Sequence, residues 1–246
     1  MKINYSTHNG LSIKTMFGDT ECNKVLLAVH GFSSSKDSSI FELLAQEIVD
    51  SGYVVVSFDL PSHGESRGEI LNLQECIDSV SQMYDYVADT YHKPISIIGS
   101  SFGGYLTLNF ASTSNAKLEN ILLRAPGVFI DEVLIDVILP IRNHTIDELQ
   151  EKILDLGKDN KELWVDYKFC LDCQTNRLED IININQKVYV VQGDSDTFVN
   201  AKKNEEFFNT YMTDNVEIKY LSSVGHKFDD SHKKQAVEYY KNILIN

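Results

Sequence analysis

The residues most able to do chemistry sit in the stretch Gly99-Ser100-Ser101-Phe102-Gly103-Gly104, directly after the apolar run ISII and directly before a helical run. A serine on so sharp a strand-to-helix turn is held in a strained conformation with its hydroxyl lifted above the sheet edge. The strand and helix pass so closely there that positions two before and two after it must lack side chains. Gly99 and Gly103 meet that demand for Ser101 and not for Ser100. A serine hydroxyl is unreactive at neutral pH without a base in hydrogen-bond reach, and the base needs a partner that fixes its tautomer. Two later segments supply candidates. KVYVVQG ends in Asp194-Ser195-Asp196-Thr197-Phe198, and VEIKYL is followed by Ser222-Ser223-Val224-Gly225-His226. His226, in a loop just past a strand end, is the candidate base. Asp196 is the first choice of orienting acid and Asp194 the second; both could instead turn the chain or cap the helix that follows.

An acyl-transfer site also needs two N–H donors for a developing oxyanion. Phe102, at the start of the helix behind Ser101, offers one. Phe32, in His30-Gly31-Phe32 at the end of VLLAVH, offers the other, with Gly31 allowing close approach. His30 is read as a brace for that loop in preference to a proton-transfer group. His8, His92, His144 and His232 fall in turns or in the last helix and carry no assigned role.

These positions require a scaffold that brings several strand ends together. Asn9-Gly10, flanked by alternating apolar and polar residues, predicts an opening hairpin. Short β-rich runs then alternate with helix-length amphipathic ones: VLLAVH, a helix near 38 to 51, YVVVSFD, a helix near 72 to 91, ISIIGS, the helix after Ser101, ILLRAP, KVYVVQG, a helix near 201 to 213, VEIKYL and a closing helix from about 231. That rhythm predicts parallel strands with helical crossovers, and the nearly all-apolar runs predict a sheet covered on both faces. The rhythm breaks between 128 and 185. This stretch predicts an inserted cap of two or three helices, with peripheral helices of the main fold as the alternative. Its side chains Val133, Leu134, Ile138, Leu139, Trp164, Tyr167 and Phe169 could line an acyl pocket or pack the cap onto the core, and Trp164, Tyr167, Leu134 and Ile138 are taken as the substrate-pocket candidates.

HGF at 30 to 32, DLPSHGES at 59 to 66, GSSFGG at 99 to 104, GDSDTFV at 193 to 199 and GH at 225 to 226 together resemble the α/β-hydrolases, in their order Ser, Asp, His. More narrowly they resemble the small single-cap esterases grouped with monoacylglycerol lipases, cinnamoyl esterases and serine aminopeptidases. Ser62 stands where that group commonly has a glycine. The resemblance implies a single domain over 1 to 246 with a mostly parallel eight-stranded sheet flanked by helices and a small helical cap after strand 6. It also implies hydrolysis through an acyl-enzyme with no metal or organic cofactor. The resemblance does not fix the substrate. The apolar and aromatic content of the insertion favours a carboxylesterase acting on small acyl or aromatic esters; an aminopeptidase, amidase or thioesterase on the same triad, or a non-catalytic ligand binder, are the other readings. Asp131, Glu132 and Asp136 are the acids that could hold a substrate ammonium.

Bulk properties agree with a globular chain: of 246 residues 43 % are hydrophobic and 24 % charged. Acidic residues outnumber basic ones, 36 to 22, for a net charge of −14, which repels phosphate backbones and anionic lipid surfaces; neither nucleic acid nor membrane is an expected partner. MKINYSTHNGLSIKT lacks the layout of a secretory signal and no apolar run nears the ~20 residues of a membrane span, so a cytoplasmic protein with reduced cysteines is expected. Cys170 and Cys173 are read as ordinary thiols before metal or redox groups. The expected partner is a small-molecule ester, and a homodimer is compatible with the sequence, which does not fix the oligomeric state.

Overall fold

The computed structural model describes residues 1–66, 70–158 and 161–245. Asn9 and Gly10 both take positive φ, +47° and +83°, so the chain reverses in two residues between β1 (Lys2–His8) and β2 (Leu11–Phe17). The parallel strands follow: β3 (Lys24–Val29), β4 (Tyr53–Phe58), β5 (Ile95–Ser100) and β6 (Leu118–Arg124), with α1 (Ser39–Ile48), α2 (Leu73–Tyr91) and α3 (Phe102–Thr113) between them. After β6 come α4 (Ile130–Glu132), a π-helical stretch Val133–Ile138, α5 (Leu139–Ile141), α6 (Ile146–Glu151), the two-residue strands β7 (Leu154–Asp155) and β8 (Trp164–Val165), α7 (Tyr167–Thr175) and α8 (Leu178–Ile181). The chain then returns to the sheet through β9 (Val188–Gly193), α9 (Ala201–Tyr211), β10 (Val216–Leu221) and α10 (Asp230–Ile245).

The eight-stranded sheet has the order β1-β2-β4-β3-β5-β6-β9-β10, parallel from β4 to β10 with β1 and β2 antiparallel at one edge. Alternate residues of the central strands feed two separate cores. Val25, Leu27, Val29 and Ile97 pack on the face covered by α2, α3 and the insertion; Leu26, Ala28 and Ile98 pack on the face covered by α1 and α10. In α1, Ile40, Phe41, Leu44, Ala45 and Ile48 form the buried stripe. Both sheet faces are thereby dry, which explains why β3, β4 and β5 are nearly all apolar, with small serines as the main exceptions.

Between β6 and β9 the architecture differs from the expected two or three helices. The helices are shorter and more numerous, and β7 pairs antiparallel with β8 in a separate two-stranded sheet. Two residues per strand are too few to leave a periodic signal: Leu154 and Val165 are buried while Asp155 and Trp164 are exposed. Pro140 falls in the last turn of the helical run from Ile130 to Ile141, which ends one residue later. Among the described residues no helix is long and apolar enough to cross a membrane.

Candidate active site

Strand order changes direction around β3 and β5, which opens a crevice beyond their C-terminal ends. Val29 pairs with Gly99, so the residues leaving β3 face those leaving β5. Ser101 has φ +54° and ψ −116°, a conformation that costs a non-glycine residue on the order of 1–3 kcal/mol. Hydrogen bonds on both sides hold it: its N–H donates to the Arg124 carbonyl (3.0 Å), and its own carbonyl accepts from Gly104 (2.8 Å) and Gly127 (3.0 Å). A Cβ on Gly99 would lie 2.4 Å from the Gly103 carbonyl oxygen, and one on Gly103 2.2 Å from that of Val29. Both glycines are therefore steric requirements of the turn. A Cβ on Gly31 would lie 3.1 Å from the Ser101 Cβ, so the backbone entering Phe32 runs against the serine.

At the other pair of strand ends, Leu221 pairs with Gly193, which brings the loops after β9 and β10 together. His226 Nε2 lies 3.0 Å from Ser101 Oγ, and His226 Nδ1 lies 2.9 Å from Asp196 Oδ2. Asp196 is 3 % exposed; its Oδ2 also accepts from Gln192 (3.0 Å), and its Oδ1 accepts from the N–H groups of Phe198 (2.9 Å) and Val199 (3.2 Å). Burial alone would raise the Asp196 pKa, but the hydrogen bonds and charge of His226, with the two amides, hold it below the usual carboxylate value. Nδ1 of His226 is thereby the protonated nitrogen and Nε2 the one facing Ser101. Burial lowers the His226 pKa, Asp196 opposes that, and the nearby Arg124 charge lowers it further. The imidazole is accordingly neutral and basic at pH 7. Asp194 is elsewhere: its Oδ1 accepts from Ser223 N–H (2.8 Å) and the Ser195 hydroxyl (2.9 Å), bracing the two loops.

His30 is fully buried with both ring nitrogens engaged. Nε2 accepts from Leu60 N–H (3.0 Å), which leaves Nδ1 to donate to the Gly31 carbonyl (2.8 Å). It ties the loop after β3 to the loop after β4, and its pKa lies well below the ordinary value because it is buried beside His63. His63 stacks edgewise on His30 (5.1 Å) and Phe32 (6.0 Å). Ser62 has φ +64°, so the position where the resembled group has glycine is a left-handed one that this chain fills with serine. Asp59, beneath, accepts from Lys36 N–H, Lys36 Nζ and Glu65 N–H.

Two hollows adjoin Ser101. The first is narrow, about 30 Å³, and is lined by apolar groups that include Phe32, Ile130, Val133, Leu134, Ile138 and Phe169. Of the four pocket candidates, Leu134 and Ile138 line this hollow. Trp164 and Tyr167 do not: Trp164 is 40 % exposed on β8, its carbonyl accepting from Leu71 N–H, and Tyr167 is half-buried at the start of α7 with its hydroxyl accepting from Gln150. The β7 and β8 pairing turns Trp164 outward, which no periodic reading could anticipate. Cys173 also lines this hollow; burial raises the thiol pKa of Cys173 well above, and that of Cys170 above, the ordinary value. Among the described residues no three His, Cys, Asp or Glu side chains are grouped to hold a metal ion.

Three groups escaped the sequence reading. Phe198 stacks on His226 at 4.6 Å and 13°. Arg124, at the end of β6, donates to the His226 carbonyl and to Ser100 Oγ (3.2 Å). Gln192 bridges Asp196 and Asn204. Each lies next to a recognised residue in the fold or the chain, but only three-dimensional contact reveals what it touches.

A family model described as serine aminopeptidase, S33, matches residues 20–168, more than half of the chain. The chain belongs to the serine aminopeptidase S33 family. Its fold is that of the α/β-hydrolases. Est1E from Butyrivibrio proteoclasticus, in a structure with ferulic acid bound, superposes on this S33 member with a TM-score of 0.80 at 18 % identity, covering 98 % of each chain. A soluble variant of monoglyceride lipase from Saccharomyces cerevisiae, in complex with a substrate analog, gives 0.73 at 17 % identity over 99 % of this chain and 94 % of that one. A protein of Acanthamoeba polyphaga mimivirus named as an alpha/beta hydrolase is 22 % identical over 195 residues, 77 % of this chain and 61 % of its own length. This S33 chain spans 28 % and 61 % of the length of two curated relatives it matches.

Proposed function

We propose that this chain is a serine hydrolase that cleaves carboxylic esters of small acyl or aromatic acids through an acyl-enzyme. The observation that carries the reading is the continuous hydrogen-bonded line from Ser101 through His226 to Asp196. As Ser101 Oγ bonds to the ester carbonyl carbon, its proton passes to His226 Nε2; the carbonyl oxygen becomes an oxyanion facing the N–H groups of Phe32 and Phe102. The tetrahedral centre then expels the alcohol, which takes the proton from His226, and leaves Ser101 acylated. Water repeats the sequence, giving its proton to His226 and its oxygen to the acid product. Asp196 stays ionised and stabilises the imidazolium. His30, Gly31, Gly99 and Gly103 support the geometry without touching the reacting atoms.

The apolar hollow beside Ser101 receives the acyl group. It is the narrower of the two hollows beside Ser101, which favours a short acyl chain unless the aromatic and aliphatic walls give way. An aminopeptidase would need a carboxylate there for the substrate ammonium, and none of Asp131, Glu132 and Asp136 lines that hollow: Asp131 pairs with Arg177, Glu132 with Lys203, and Asp136 lies with Glu132 along a separate hollow. A panel of acetyl and butanoyl esters, the matching thioesters and aminoacyl amides tests the reading. Ester turnover that vanishes in Ser101→Ala is expected; faster cleavage of aminoacyl amides than of any ester would replace the esterase reading with a peptidase one.

A further inference from the structure

The second hollow beside Ser101 is larger, about 430 Å³, and of opposite character. His226 lines it and does not line the apolar one. Since His226 must protonate the departing group, the leaving alcohol or thiol occupies this second side. Four cationic side chains line it, Arg124, Arg142, Lys158 and Lys227, and no Asp or Glu is among its lining residues in the described part of the chain. The chain as a whole carries a net charge of −14, so cationic side chains beside the nucleophile stand out.

Arg124 is fixed by its donation to the His226 carbonyl and Ser100 Oγ, and its guanidinium lies 4.4 Å from the Phe228 ring centre. Arg142 is held differently. Its backbone N–H donates to the Ile138 and Leu139 carbonyls (both 3.1 Å), which anchors it in the turn after α5. Its side-chain Nε is shielded from solvent and meets no acceptor. With its Nε unpaired and its side chain lining the hollow together with Arg124, Arg142 is placed to turn its guanidinium fork onto an anion there.

We propose that the leaving group of the substrate carries an anionic group, carboxylate or phosphate, and that Arg142 binds it beside Arg124. This rests on the hydrolase reading and deepens it. The bond cleaved is the same acyl C–O or C–S bond, and the proton still comes from His226; the anion contributes binding and orientation. Because the whole chain repels anions at long range, the preference originates in this hollow alone.

The test compares acetate esters that share their acyl group: 3-carboxyphenyl acetate against 3-carbamoylphenyl acetate, and 2-(phosphonooxy)ethyl acetate against 2-methoxyethyl acetate. A ratio of kcat/KM, anionic over neutral, above one in either arm is expected, and the arm that shows it names the anion. That ratio should fall about tenfold in Arg142→Gln, recover in part in Arg142→Lys and shrink at high salt, as a screened charge contact does. The change should sit mainly in KM. Where Arg142→Gln melts early, Arg142→Lys and the salt series on the unaltered protein carry the test. A ratio of one or less in both arms, or one unchanged by the Arg142 substitutions and by salt, overturns the anionic leaving group while leaving the esterase intact. No turnover of any ester, together with no fluorophosphonate labelling of Ser101, overturns both.

Discussion

The strand-end loops and the insertion between β6 and β9 contribute to one site by different physical means. Ser101, Asp196 and His226 stand on loops set by strand register, Val29 against Gly99 and Leu221 against Gly193; backbone hydrogen bonds tie Ser101 and Asp196 further, and the Arg124 guanidinium holds the His226 carbonyl. Val133, Leu134 and Ile138 stand on a π-helical stretch whose placement depends on side-chain packing. Such wide turns are uncommon and often occur at functional sites, because the extra residue per turn redirects neighbouring side chains. On the proposed reading, chemistry is assigned to the part of the fold fixed by strand register, and substrate shape to the insertion packed beside it.

The comparison breaks most readily at the acid. Asp196→Asn should lower kcat on the order of 10⁴-fold, since the amide presents the wrong hydrogen-bonding pattern to His226 Nδ1, while Asp194→Asn should change kcat by less than about tenfold. Steady-state kinetics on an acetyl ester checks this, and the reverse ranking would move the orienting role to Asp194.

The insertion side gives a smaller effect of opposite kind. Ile138→Ala should widen the narrow hollow and raise the kcat/KM ratio of butanoyl to acetyl ester by about tenfold, the scale of one to two methylenes in an apolar pocket. Trp164→Ala should leave that ratio within about twofold, because its side chain is exposed and away from the hollow. Measuring both esters in each variant cancels any general loss of folded protein. A ratio that responds to Trp164 and not to Ile138 would move the acyl site to β8.

The smallest effect is on pH. His226 must be neutral to accept the Ser101 proton, and its pKa lies below the ordinary 6.5 through burial, against the pull of Asp196. Activity should therefore fall on acidification with a midpoint below that of free histidine. A kcat/KM profile with its acid limb at or above 6.5 would contradict a buried, charge-opposed base.

How much of this was legible in the sequence follows the same division. The elbow shows because steric limits at Gly99 and Gly103 allow few residue types, and the strand runs show because both sheet faces are dry. Asn9-Gly10 shows because two left-handed residues in succession leave little choice. Trp164 misled because an aromatic residue in an apolar stretch has no face until its partner strand is known. Arg124 and Phe198 were invisible as site residues, since nothing about an arginine ending β6 says that it will reach the His226 carbonyl 102 positions later. Arg142 shows even less in sequence, because its meaning lies in what surrounds its side chain.

The central claim, that Ser101 carries the acyl group, is tested most directly by intact-protein mass spectrometry of the chain quenched in acid during turnover of an activated acetyl ester. The account predicts an adduct of one acetyl group per chain, mapped by peptide analysis to Ser101, absent in Ser101→Ala and accumulating in the unaltered protein where deacylation is slower than acylation. An acetyl adduct on Ser100, or ester turnover that persists in Ser101→Ala at the unaltered rate, would contradict it.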